Sequence, residues 1–262
     1  MILEEYDSNE RAILNPDSIH TKIEGFPETG IAVFSRHLFR ELTLRLECEM
    51  FTENRDVDGI WPIYKVTYKG ETFGFTKGRQ GAPACVGHFE DIIAMGAKRI
   101  ILLGSCGALD ASIDDCEVIL PTGAIRDEGT SYHYVPASDF IPVNEKYRDI
   151  FQEICKENNF SYKEGYTWTT DAFYRETTML VERRKKAGAV CVEMECAGMQ
   201  AMCCFRNVEF FQYLYAADSL CTTEWNPRSL SGGAKLELKR RIAMIAFELA
   251  YRIEKCNRTE QQ

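Results

Sequence analysis

The sequence predicts an α/β fold built around a largely buried sheet. Two observations carry that expectation. From about residue 84 onward, short apolar runs alternate with segments of helical period, the pattern of strands joined by helices. Polar residues also collect where the apolar runs stop, which is where open α/β sheets place their sites.

Taken in order, residues 1–29 are polar and irregular, punctuated by Pro16, Gly25 and Pro27. IAVF (31–34) reads as a short buried strand. WPIYKVTYKGETFGFTKG (61–78) alternates apolar and polar residues on both sides of Lys69-Gly70, a hairpin signal. A helix is predicted over 84–97, with Phe89, Ile92, Ile93 and Gly96 on its packed side. RIILLGS (99–105) is a buried strand expected to end in a turn at Gly104-Ser105-Cys106-Gly107. CEVILPTGAI (116–125) is a further strand, 144–158 an amphipathic helix, and YTWTTDAFY (166–174) a strand running into a loop. VCVEME (190–195) leads from strand into a helix starting near Cys196. EFFQYLYAADS (209–219) is a strand stopping at Asp218, and the last helix covers about 233–255. No repeat or low-complexity linker divides the 262 residues, so one domain is expected over 1–262.

Composition narrows the function. A net charge of −9 disfavours a broad nucleic-acid interface but leaves room for one small anion bound by focused arginines and amides. No apolar run is long enough to span a bilayer, and the acidic start lacks the basic-then-apolar pattern of a signal peptide. Eleven cysteines, an odd number without a C-x-x-C pair, read as reduced thiols in a cytoplasmic protein. His88-Phe89-Glu90 matches the H-x-E of zinc deaminases, but no P-C-x-x-C follows to complete the ligand set, so no metal is expected.

Four strand ends could carry chemistry. In GSCG (104–107), glycines flank a hydroxyl, so backbone and Ser105 could approach an anion; a structural turn is the simpler alternative. Glu193 and Glu195, two apart in extended chain, project to one side beside Met194. They could meet sugar hydroxyls over a polarizable thioether, or merely face solvent where the helix dipole favours them. Asp218 closes an apolar strand as either a cap or a proton donor. The stretch 126–134, RDEGTSYHY, is unusually polar for a loop after a strand.

In this order and spacing, GRQGAPA (78–84), GAKRIILLGSCGAL (96–109), AIRDEGTSYHY (124–134), TTDAFY (169–174), VEMECAGMQAM (192–202) and AADS (216–219) resemble the nucleoside phosphorylase family of uridine phosphorylase and the hexameric purine nucleoside phosphorylases. The resemblance implies a three-layer α/β/α fold with a central mixed sheet and a homodimer or homohexamer. It also implies phosphorolysis of a nucleoside to free base and ribose 1-phosphate, with inorganic phosphate as co-substrate and no cofactor. Ser105 and Gly104 would bind phosphate, Glu193, Met194 and Glu195 the ribose, and Phe173 with Arg175 the base. Asp218 would protonate a purine at N7, with Arg228 downstream as its catalytic partner.

The phosphate arginines of the family are not where its pattern puts them. Leu102 precedes the anion turn where an Arg is usual, and the N-terminal Gly-Asp-Pro loop is replaced by FSRHLFREL (34–42). Arg36 or Arg40 could substitute there, and Arg79, Arg126 and Arg228 are further candidates. Three readings follow: phosphorolysis with a rearranged phosphate site, hydrolysis by water as in the family's nucleosidases, or nucleoside binding without turnover. Asp218 disfavours the last, since binding alone needs no leaving-group acid. It also leans the base towards purine, with uracil as the alternative.

Overall fold

The computed structural model describes residues 2–260 apart from Gly232. Its strands are β1 (Thr29–Val33), β2 (Glu47–Asp56), β3 (Gly59–Tyr68), β4 (Glu71–Lys77), β5 (Arg99–Ala108), β6 (Val118–Asp127), β7 (Phe140–Pro142), β8 (Tyr162–Thr170), β9 (Ala189–Glu193) and β10 (Glu209–Ser219). Its α-helices are α1 (Arg36–Arg45), α2 (Ala82–Met95), α3 (Arg148–Glu157), α4 (Thr178–Lys186), α5 (Cys196–Phe205) and α6 (Leu236–Glu260). Before β1 the chain is irregular apart from two single 3₁₀ turns, Ile2–Glu4 and Pro16–Ser18. None of the described helices is long and apolar enough to cross a membrane.

The strands form one mixed sheet in the order β10-β6-β8-β9-β5-β1-β4-β3-β2, with β7 against β6. Because β10 also pairs with β5, strands β5, β10, β6, β8 and β9 close into a ring. Period-two alternation then sorts the core into two layers. Ile31, Val33, Ile101 and Leu103 face α1, α3 and α6 in one apolar cluster. Ala32, Ile100 and Leu102 face α2 and α5 in another. The result is three layers, helices on both faces of a buried sheet.

Two local expectations change. Strand β2 was not foreseen: its sequence, ECEMFTENRD, carries charges through an edge strand in which only Asn54 is buried. The predicted turn at 104–107 is instead strand, since β5 continues to Ala108 under pairing with β10 and then β9. Gly104 and Gly107 serve close packing there. A Cβ on Gly104 would lie 2.9 Å from Leu214, and one on Gly107 would lie 2.4 Å from Leu220.

Candidate active site

The site lies where the sheet splits. Strand β1 pairs with β5 only as far as Val33 opposite Leu103, and β9 takes over the same edge only at Val192 opposite Gly107. Between them, Gly104–Cys106 has a strand neighbour on the β10 side alone. Strands β1 and β9 both deliver their C-terminal ends to this gap, the switch-point geometry at which α/β sheets bind ligands. A cavity of about 900 Å³ opens there, and it is lined from β5 by Ser105, Cys106 and Gly107.

One end of the cavity is built by β9 and the start of α5. Glu193, Met194 and Glu195 all line the cavity, but the two acids differ. Glu193 Oε1 accepts the Thr169 hydroxyl at 2.6 Å and that of Thr167 at 3.2 Å, both from β8. Its Oε2 accepts the backbone N–H groups of Glu195 (2.8 Å) and Cys196 (2.7 Å), which satisfies the opening turn of α5. Burial raises its pKa, and these four hydrogen bonds oppose the rise. Glu195 accepts one protein donor, the Gly81 N–H at 2.6 Å. Gly81 reaches it with φ of +85°, a conformation that suits glycine at the N-cap of α2. Burial, with Glu193 beside it, pushes the Glu195 carboxyl up to about 8. One oxygen of Glu195 therefore remains open to a ligand.

At the opposite wall, Asp218 is aimed inwards by an irregularity in β10. The register against β5 shifts between Ala216 and Asp218, the signature of a bulge. Trp225 Nε1 donates to Asp218 Oδ2 at 2.8 Å. Burial raises the Asp218 pKa, while the Trp225 hydrogen bond and the Arg228 charge hold it back. Arg228 itself does not line the cavity; its Nη1 is buried without a hydrogen-bond partner among the described residues. Phe173 and Tyr174 form an aromatic lip, their ring centroids 4.1 Å apart. Arg175 is exposed outside it. Glu176, which sequence reasoning did not single out, enters the cavity two residues beyond Tyr174.

Besides Arg228, four proposed anion ligands are not brought to the cavity. Gly104 is packed under Leu214. Arg126 is tied into its own loop by the Ser131 and Ser138 hydroxyls and the Pro136 carbonyl, each at 2.8 Å, and it stacks on Tyr132. Arg79 is ion-paired with Asp56 and Asp58 over the Trp61 ring. Arg40 is exposed on α1, away from the cavity wall.

Other cations take that place. Ser35, Arg36 and His37 at the start of α1 line the cavity together with Lys77 and Gly78 at the end of β4. Val33 and Lys77 are register partners, so the ends of β1 and β4 put Lys77 next to the α1 N-terminus. Burial and the nearby Arg79 and Arg36 charges lower the Lys77 pKa. Neither Arg36 nor Lys77 has a carboxylate partner among the described residues. Lys77 was legible only as the last residue of an alternating strand, and nothing in its neighbours marked it as a ligand.

The H-x-E pair is absorbed into structure. His88 Nδ1 lies 3.2 Å from Asn54 Nδ2, and burial takes its pKa down to about 4. Glu90 is paired bidentately with Arg206.

A family model described as the phosphorylase superfamily matches residues 30–244. Among curated proteins, the DeoD-type purine nucleoside phosphorylase of Haemophilus ducreyi is 27% identical over 74% of this chain and 76% of its own. The guanosine phosphorylase of Halorubrum lacusprofundi is 24% identical over 69% and 70%. Among solved structures, the purine nucleoside phosphorylase of Toxoplasma gondii, crystallised with immucillin-H, superposes with a TM-score of 0.76 at 18% identity, covering 88% of this chain and 93% of its own. Uridine phosphorylase of Vibrio fischeri gives 0.74 at 20%, covering 91% and 98%. Those two structures share the fold.

Proposed function

The chain belongs to the phosphorylase superfamily, and we propose that it is a single-domain nucleoside phosphorylase. Inorganic phosphate displaces the base of a nucleoside, breaking the C1′–N bond and forming ribose 1-phosphate, with no cofactor. The names of its purine- and guanosine-cleaving relatives support this reading. The observation that carries it is the pair of uncompensated cations, Arg36 and Lys77, on the cavity wall that also holds Ser105. Cations without carboxylate partners beside the cavity fit a dianionic co-substrate, which needs several charge-assisted contacts. Water as the nucleophile, or binding without turnover, would leave both charges unused.

The roles follow from what each group still has free. Glu195 takes the sugar hydroxyls, because Glu193 already accepts four hydrogen bonds and acts by holding Glu195 and α5 in place. Met194 packs beneath the ribose and Phe173 beside the base. As the glycosidic bond lengthens, the sugar becomes oxocarbenium-like and the base anionic. Phosphate stabilises the first, and a protonated Asp218 neutralises the second at purine N7. Arg228 tunes Asp218 by its charge. The odd cysteine count and burial of seven thiols support a cytoplasmic enzyme. Exposed Met50, Val57 and Ile60 on the β2–β3 hairpin support assembly as a homodimer or homohexamer.

Phosphate-saturation kinetics test the cation assignment. Lys77→Ala and Arg36→Ala should each raise the phosphate KM by roughly 10–100-fold, the worth of a charged hydrogen bond, with the nucleoside KM nearly constant. An unchanged phosphate KM in both variants would remove these residues from the phosphate site.

A further inference from the structure

Glu176 is the only cavity-lining carboxylate for which the described residues provide no hydrogen bond or ion pair. Glu193 is saturated, Glu195 is held by Gly81, and Asp218 is held by Trp225. The position of Glu176 is nonetheless fixed. Its N–H donates to the Phe173 carbonyl at 3.3 Å, closing the 3₁₀ turn Phe173–Arg175. The next residue, Thr177, caps α4 through its side chain. The residue is thus set between a turn and a helix start, two residues beyond Tyr174 of the aromatic lip. It is close enough to Asp218 for their charges to interact, yet the two share no hydrogen bond.

Resting on the phosphorolysis reading above, we propose that Glu176 selects the base, favouring a 6-oxopurine and above all guanine, by accepting hydrogen bonds from the ring edge remote from N7. Guanine offers N1–H and its 2-amino group side by side, and a carboxylate accepts such a pair on its two oxygens. Hypoxanthine offers N1–H alone. Adenine turns a lone pair at N1 towards the carboxylate, which repels it. Uracil has one N–H, but a carbonyl oxygen on each side faces the carboxylate oxygens. A partly buried acceptor left unpaired discriminates against ligands lacking the donor. Burial, with Asp218 adding, pushes the Glu176 carboxyl up to about 7. Recognition by the ionised form should therefore strengthen as pH rises through neutrality.

The test compares guanosine, inosine, adenosine and uridine with saturating phosphate in the wild type and in Glu176→Gln, which keeps the shape but loses the charge. Guanosine should be the best wild-type substrate, with a KM that falls as pH rises through about 7. Glu176→Gln should cut kcat/KM for guanosine by roughly 10–100-fold, mostly through KM, and leave adenosine within about threefold. A wild type that prefers adenosine or uridine, or a variant that keeps the wild-type guanosine-to-adenosine ratio, would overturn the base assignment and leave phosphorolysis standing. A wild type that releases no base from any of the four would overturn phosphorolysis, and this assignment with it.

Discussion

Asp218 owes its aim to one extra residue in β10: the register slip against β5 after Ala216 turns its carboxyl into the cavity instead of along the sheet. There the burial that raises its pKa favours the protonated form that a leaving-group acid needs. Asp218→Asn removes that proton while keeping the Trp225 contact, so purine nucleoside turnover should fall by roughly 10²–10⁴, read as kcat at saturating phosphate. An unchanged kcat would return Asp218 to a structural role. Asp218 was visible in the sequence because an acid at the end of an apolar strand must be explained. The pairing of Glu193 with Glu195 was visible on the same ground. Their division of labour was not, because it depends on Thr167 and Thr169, which arrive from β8 more than twenty residues away. Lys77 and Glu176 escaped for the converse reason: each sits among polar neighbours, and only the fold turns it towards the cavity.

At the scale of elements, the proposed sugar site depends on how closely two helices approach. Glu195 begins α5, and the Gly81 N–H that holds it begins α2. The helices meet at Gly198, where an added Cβ would lie 2.9 Å from the Ala82 Cβ. Gly198→Ala should therefore push α2 away from α5, costing about 1–3 kcal/mol as an overpacked contact. A lowered urea midpoint together with a raised nucleoside KM and an unaltered phosphate KM is the expected pattern. A midpoint and nucleoside KM equal to wild type would mean that this contact does not set the Gly81–Glu195 geometry. The strand-helix alternation that builds this layer was readable from the sequence, since β9, β10 and α5 are mostly apolar. The continuation of β5 through Gly104–Gly107 was not, because glycines that normally signal a turn here admit Leu214 and Leu220 against a strand.

For the whole molecule, a chain of net charge −9 still presents a local patch of positive charge, because Arg36 and Lys77 gather where β1 and β4 end. Acids pair with many other cations, Arg79 among them, whereas Arg36 and Lys77 have no carboxylate partner among the described residues. The split of the sheet creates the cavity, the bulge turns Asp218 towards it, and the α2–α5 contact holds the proposed sugar site. Motif order thus revealed the family, whereas the proposed phosphate ligands depended on three-dimensional pairing. The most direct test is base release from purine nucleosides by the purified full chain in phosphate-free buffer and again with phosphate added. Release that requires phosphate and yields ribose 1-phosphate mole for mole with free base is the predicted result. Release at the same rate without phosphate, with free ribose as the product, would contradict it.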